Sequence, residues 1–234
     1  MDSEDHSMML KLPLFIFIAA VGLIKLGLCD DFIAKITTDS IDIKSKIYIY
    51  GEYATESLAL RMKKSIMDTW SKDAKGNPWM YTDIKTEKSY QVNFNISVRV
   101  YSNEVPSFIP GTKNPLSRSN YIKVLIGGDK KFSDKNRSYV LGGDEGVWSA
   151  NPYNDWSYAH EFGHILGLKD RYTEGSNESS ESDAAWEGNI MSTYKGIVEQ
   201  KNIDSIAKYV LNHLDPKLYQ NIPMGVNVPR SHID

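Results

Sequence analysis

The stretch W-S-Y-A-H-E-F-G-H-I-L-G-L-K-D-R-Y, Trp156 to Tyr172, decides how the rest of the chain is read. His160 and His164 stand four residues apart, and on an α-helix that spacing puts both imidazoles on one face, one turn apart. Two nitrogens so placed can share one Zn²⁺ at about 2.0–2.1 Å each. Glu161 follows the first histidine and leans to the side of the metal. It is placed there to take a proton from a bound water rather than to ligate. Gly167 comes three residues after His164, where a left-handed residue could end the helix and reverse the chain. Such a turn can bring Asp170 back under the metal as a third ligand.

The H-E-x-x-H pattern is a known metallopeptidase signature. The full stretch His160-Glu161-x-x-His164-x-x-Gly167-x-x-Asp170 resembles the extended zinc-binding motif of the metzincin metallopeptidases. Most of that clan has histidine at the last position. The aspartate variant is similar to that of snapalysin-type and some bacterial toxin-like metallopeptidases. Downstream, Asn189-Ile190-Met191-Ser192-Thr193-Tyr194 resembles the methionine turn of the same clan, whose thioether packs beneath the ligating imidazoles without binding metal.

That resemblance implies an α+β fold: a twisted mixed β-sheet with a backing helix and an active-site helix, then a small C-terminal subdomain. It implies a zinc-dependent endopeptidase acting on protein or peptide substrates. His160, His164 and Asp170 would hold one catalytic zinc and leave one position open to water. Zinc lowers the pKa of bound water towards ~7 and polarises the scissile carbonyl. Glu161 would accept the proton and pass it to the leaving amine. A competing design takes the third ligand from a downstream glutamate, for which Glu181 or Glu187 could serve. In several metzincins a tyrosine two residues after the methionine assists. Thr193 holds that position here, Tyr194 comes one later, Tyr172 and Tyr158 lie near the motif, and none is assigned.

At 234 residues the chain suits one good-sized domain. Its 41% hydrophobic and 24% charged content is that of a globular protein, and a net charge of -3 gives no reason to expect nucleic acid as partner. Leu14 to Ile24 has the length of a signal-peptide h-region and is short for a membrane span. Residues 1–29 therefore read as an export leader, cleaner if Met8 is the initiator, with cleavage before Asp30. Leu26-Gly27-Leu28-Cys29 also resembles a bacterial lipobox, which would anchor the chain through Cys29, although Leu28 is bulky for that motif. Cys29 is the only cysteine, so no disulfide forms within the chain. A secreted or exported monomer without a transmembrane domain is expected, its catalytic domain spanning 30–234 (upper subdomain about 46–167, lower about 168–220).

Along that domain, 30–45 reads as a polar lead-in whose Asp30, Asp31 or Asp39 could cap the metal in a latent form. Lys46 to Tyr50 alternates as a strand. Thr55 caps a helix to about Lys72, with Leu58, Met62, Ile66 and Trp70 at helical spacing. Tyr90 to Tyr101 and Tyr121 to Ile126 are strands around a long loop, 103–119. Ser138 to Trp148 is either an antiparallel edge strand or a glycine-rich connection. The acidic, serine-rich run 173–188 reads as a loop. Its carboxylates suit Ca²⁺, but no spaced calcium motif appears. Gln200 to Leu214 is a C-terminal helix stopped by Pro216, and the tail from Ile222 drapes over the surface. Two other functions share this pattern: a peptidase-like surface binding module or toxin, and a zinc amidase acting on cell-wall peptides.

Overall fold

The computed structural model describes residues 30–101, 119–126, 138–140, 145–150, 155–174, 180–213 and 226–229. Residues 1–29, expected above to be an export leader, Pro216 and most of 103–119 lie outside them. The class is α+β. Among the described residues eight strands form one mixed sheet, two more form a small hairpin, and three α-helices accompany them.

Strand β2 (Ser40–Tyr50) organises the sheet. Its odd residues Ile41, Ile43, Ile47 and Ile49 are buried, as period-2 alternation requires. β4 (Lys88–Val100) runs parallel to it along one edge, from Ser40 to Ile49. The other edge is shared. β1 (Asp30–Ile36) pairs antiparallel with Ile41–Lys44, and β5 (Asn120–Leu125) pairs parallel with Ile47–Tyr50. Ser45 marks the changeover, and Asn120 bridges it by donating to the Ser45 hydroxyl at 3.2 Å and the Lys46 carbonyl at 3.1 Å. β7 (Glu145–Ser149) continues parallel beside β5, and β6 (Tyr139–Val140) is an antiparallel edge strand beside β7. β3 (Trp79–Asp83) forms a hairpin with β4.

Helix α1 (Glu56–Trp70) starts where Thr55 accepts a hydrogen bond from the Leu58 N–H at 3.2 Å. Its buried stripe, Leu58, Met62, Ile66 and Trp70, lies on the inner face of the sheet, where the Trp70 ring meets Phe94 at 5.8 Å. α2 (Asp155–Ile165) lies against α1: Trp70 packs edge-on to Phe162 at 5.8 Å and donates its indole N–H to the Ala159 carbonyl at 2.9 Å. α3 (Gln200–His213) buries Ile203, Ile206, Ala207 and Val210 in the same core.

Several sequence expectations need correction. The polar lead-in is β1 and the first half of β2, hidden because Ser45 interrupts the isoleucine alternation. Asp30 sits in β1 opposite Pro229, and Asp39 takes a hydrogen bond from Thr37 in the β1–β2 turn; among the described residues Asp39 is not part of the group described below. Ser138 to Trp148 is neither one edge strand nor a plain connection, since it contains edge β6 and interior β7. The run 173–188 includes a hairpin, β8 (Tyr172–Glu174) with β9 (Ser180–Ser182), and a 3-10 turn at Ala184–Trp186. The tail contributes β10 (Val226–Pro229), paired with β1. Among the described residues no helix is long and apolar enough to cross a membrane.

Candidate metal centre

Helix α2 is buried on nearly every side, which fixes its rotation about its own axis. Its end is set by Gly167, whose φ of +88° is the left-handed conformation that favours glycine. The Leu168 N–H bonds to the Gly163 carbonyl at 3.0 Å and the Gly167 N–H to the His164 carbonyl at 2.9 Å, the two closing bonds of a Schellman cap. The chain then turns back, and the Arg171 N–H is held by the Met191 carbonyl at 2.8 Å. That bond fixes Asp170, one residue earlier, beneath the two histidines.

The three side chains meet there. Nε2 of His160 and Nε2 of His164 each lie 3.3 Å from Asp170 Oδ1. The ligand atoms of the three residues all fall within 4.8 Å of one another. Nδ1 of His160 is 2.7 Å from the Ile190 carbonyl, and Nδ1 of His164 is 2.9 Å from the Leu168 carbonyl. A carbonyl can only accept, so each Nδ1 carries a proton, and in the unprotonated ring it is Nε2, the nitrogen facing Asp170, that keeps the lone pair. This is the tautomer a metal-ligating histidine needs. The group could hold a metal ion.

Its electrostatics fit that use. Burial pushes the Asp170 carboxyl up, but hydrogen bonds from both imidazoles outweigh it and hold the pKa well below the usual carboxylate range. Burial opposes charge on His160, while the Asp170 contact and the nearby Glu161 charge raise its pKa overall. Glu161 itself is buried on α2. Of the rival third ligands, Glu187 is exposed at the end of the 3-10 turn and Glu181 falls in β9; among the described residues the group that could hold a metal contains Asp170.

Three contributors were not singled out from the sequence. Gly163 lies between the histidines, and a Cβ there would press on the Met191 sulfur and come within 3.3 Å of the Trp70 ring. The methionine is thus packed under α2, and the glycine makes room for it. Trp156 stacks on His160 (5.1 Å between centroids, 28°) and donates its N–H to the Gly196 carbonyl at 2.9 Å. Its place four residues before His160 is the signal that could have found it. Asn189 is fully buried, and its amide is fully used. It donates to Glu199 and Asn202, each at 2.7 Å, and accepts from the Met191 N–H at 2.9 Å and Asn202 at 3.2 Å. Asparagine accepting from the N–H two residues on is ordinary turn chemistry, legible at the head of N-I-M.

The tyrosines separate clearly. Tyr158 is buried, donating to the Ser149 carbonyl at 2.7 Å and accepting from Arg61 at 3.1 Å, so its hydroxyl is committed to the framework. Tyr172 begins β8. Tyr194 is exposed and sets its ring edge-on to Trp156 at 5.3 Å. Fold and site together define an α+β protein with a His-His-Asp group able to bind metal. No protein-family model matches the chain, and no curated protein matches it.

Proposed function

We propose that this protein is a zinc-dependent endopeptidase of the metzincin type, with Asp170 in the place of the usual third histidine. One observation carries the reading: two imidazoles, each with its Nδ1 held by a backbone carbonyl, converge with a carboxylate on one point. Two nitrogens and one oxygen are a donor set that zinc accepts, with one position left for water. The resemblance gains support from the mixed sheet backed by α1, from antiparallel edge strand β6 beside α2, and from Met191 under Gly163. Among the described residues β6 pairs only with β7, so its other edge can accept an extended peptide by strand addition.

His160, His164 and Asp170 would hold the metal. When bound, zinc supplies a Lewis acid that acidifies water and polarises a carbonyl. Glu161, next to the first ligand and buried on α2, accepts the proton released from the attacking water. It then donates that proton to the departing amine. Trp156 shields the outer side of His160.

The test is zinc content of the full chain by elemental analysis, beside cleavage of a denatured protein with and without chelator. Wild type should hold about one zinc per chain and lose cleavage to the chelator. Asp170→Ala should lose both zinc and cleavage, whereas Glu161→Ala should keep zinc and lose cleavage. Zinc without any cleavage in wild type would favour the binding-module reading. No zinc at all would refute the assignment.

A further inference from the structure

The sheet has a second face. Helices α1 and α2 cover the side carrying Ile41, Ile43, Ile47 and Ile49, so the even residues of β2 and the odd residues of β4 point the other way. On that outer face the cations gather along β2. Lys44 and Lys46 follow one another on β2, Arg99 sits opposite Tyr48, and Lys123 sits opposite Tyr50. From Lys44 to the level of Lys123 is six residues along the strand, or about 20 Å.

Among the described residues, no in-register cross-strand partner of these cations is acidic. Their cross-strand neighbours are Ile33 and Asn95 for Lys44, Ser97 for Lys46, Tyr48 for Arg99, and Tyr50 and Val147 for Lys123. An acid at any of these positions would have given a stabilising cross-strand pair. Asp42 and Glu145 lie at the margins, opposite Lys35 and Tyr121. Among the described residues four positive charges thus share one face of the sheet, in a chain whose net charge is -3. Lys44, Lys46 and Arg99 are exposed.

Between the cations lie three tyrosines. Tyr48 and Tyr121 stack at 5.5 Å, and Tyr101 stands edge-on to both, at 5.8 and 5.5 Å. Rings packed on one another have spent faces that a nucleobase would need for stacking. Beside them on the same face stand the polar side chains of Asn95 and Ser97, in register with Lys44 and Lys46. That combination suits a chain of sugar rings bearing regularly spaced anionic groups.

We propose that the outer face of the sheet, along β2, is a binding surface for an acidic polysaccharide. It lies on the opposite side of the sheet from α2 and does not depend on the metal. Binding here would hold the protein on an anionic glycan matrix while the α2 side remains accessible.

The test uses the full chain and three probes: heparin as a sulfated polysaccharide, dextran as a neutral one, and duplex DNA. Titration at rising salt should give heparin binding that weakens with salt, no dextran binding, and weaker binding of DNA than of heparin. Lys44→Ser with Lys46→Ser should lower heparin affinity roughly tenfold and reduce the salt slope by about one per cation removed. Lys64→Ser, on exposed α1, should leave it unchanged, and circular dichroism would establish that each variant is folded. Heparin binding no tighter than dextran, or undiminished in the double variant, overturns the proposal. So does DNA binding tighter than heparin, which would mark the stripe as a nucleic-acid surface. Zinc content and peptide cleavage, measured on the same samples, report separately on the peptidase reading.

Discussion

Gly163→Ala puts the packing beneath the metal-binding helix to a quantitative test. Alanine is the better helix former, which alone would stabilise by about 0.8–1 kcal/mol. The added methyl, however, would press on the Met191 sulfur and stand 3.2 Å from its terminal methyl and 3.3 Å from the Trp70 ring. Met191 and Trp70 are both fully enclosed, at 1% and 0% exposure, so neither can swing into solvent. Overpacking of that kind costs about 1–3 kcal/mol. The steric term wins, and a net loss of about 1–2 kcal/mol is expected in urea unfolding. The damage should also reach the metal. Met191 adjoins Ile190, whose carbonyl fixes His160, and displacing such a partner typically costs about 10–100-fold in affinity. The cleanest assay is a double-mutant cycle. Met191→Ala alone opens a cavity, but in the Gly163→Ala background that space takes the new methyl, so the pair should cost less than the sum by more than about 0.5 kcal/mol. If Gly163→Ala stabilises the protein by about 1 kcal/mol and leaves zinc affinity unchanged, the methionine is not wedged against this helix and the argument fails.

Other outcomes follow from the same geometry. Metal affinity should fall as pH drops, because binding must displace a proton that His160 holds above its ordinary 6.5; zinc titrations from pH 8 to pH 6 would read this, by up to about tenfold per unit. In the metal-free protein, the sign runs both ways. The raised His160 stabilises below pH 6.5 and loses that contribution as pH rises through its folded value. The depressed Asp170 stabilises above 3.8 and loses it as pH falls through its own. Metal-free protein should therefore gain most from this pair between those pH values, in denaturant melts with chelator present. Asn189→Ala strands the Met191 N–H and the Asn202 amide in the core and should cost about 3 kcal/mol, with zinc affinity falling as well; an unchanged melt would show the turn is held elsewhere. Burial pushes the half-exposed Glu199 carboxyl up, but Lys201 and Asn189 outweigh it and hold its pKa below 4.5, so its small contribution should vanish as pH falls through that lowered value and be absent in Glu199→Gln.

How much of this was legible beforehand depended on whether a signal was local. The pairing of His160 with His164, the reversal at Gly167 and the return of Asp170 all follow from spacing within one helix and its cap, and the structure brings those residues together. The stripe of α1 and the buried face of β4 were equally readable, since 3.6 and 2.0 periodicities are written in consecutive residues. What escaped was set by partners far along the chain. Ser45 looks like the end of a polar segment, yet it lies within β2 because Asn120, 75 residues later, satisfies its hydroxyl. β3 carries only W-M-Y-T-D, and the longer β4 is what makes it a strand. The demand for glycine at 163 comes from Met191, 28 residues downstream, and is invisible in H-E-F-G-H alone. The charged stripe on the outer face was hidden for the same reason: Lys44, Lys46, Arg99 and Lys123 are scattered in sequence, and only the register of β2 with β4 and β5 lines them up.

The site also divides its labour in a way that makes metal binding a report on tertiary structure. Two of the proposed ligands and the proposed base sit on one buried helix, whose geometry is local and stiff. The proposed third ligand, Asp170, lies outside that helix, on a segment tied to the Met191 turn by the Arg171 N–H to Met191 carbonyl bond and by the Ser192 hydroxyl to the Arg171 carbonyl at 3.1 Å. The same turn supplies the Ile190 carbonyl that orients His160, and the turn itself hangs on Asn189 and thus on α3 through Asn202. An aspartate is shorter than a histidine, so its backbone must come closer to the metal and has less reach to absorb error. A His-His-Asp site should therefore depend more steeply on the turn than a three-histidine site would. Asp170→His tests this, because a longer side chain on an unchanged backbone would overshoot. It should bind zinc more weakly than wild type despite offering the better-known ligand, and an affinity equal to wild type would mean that the segment is not fixed by these bonds.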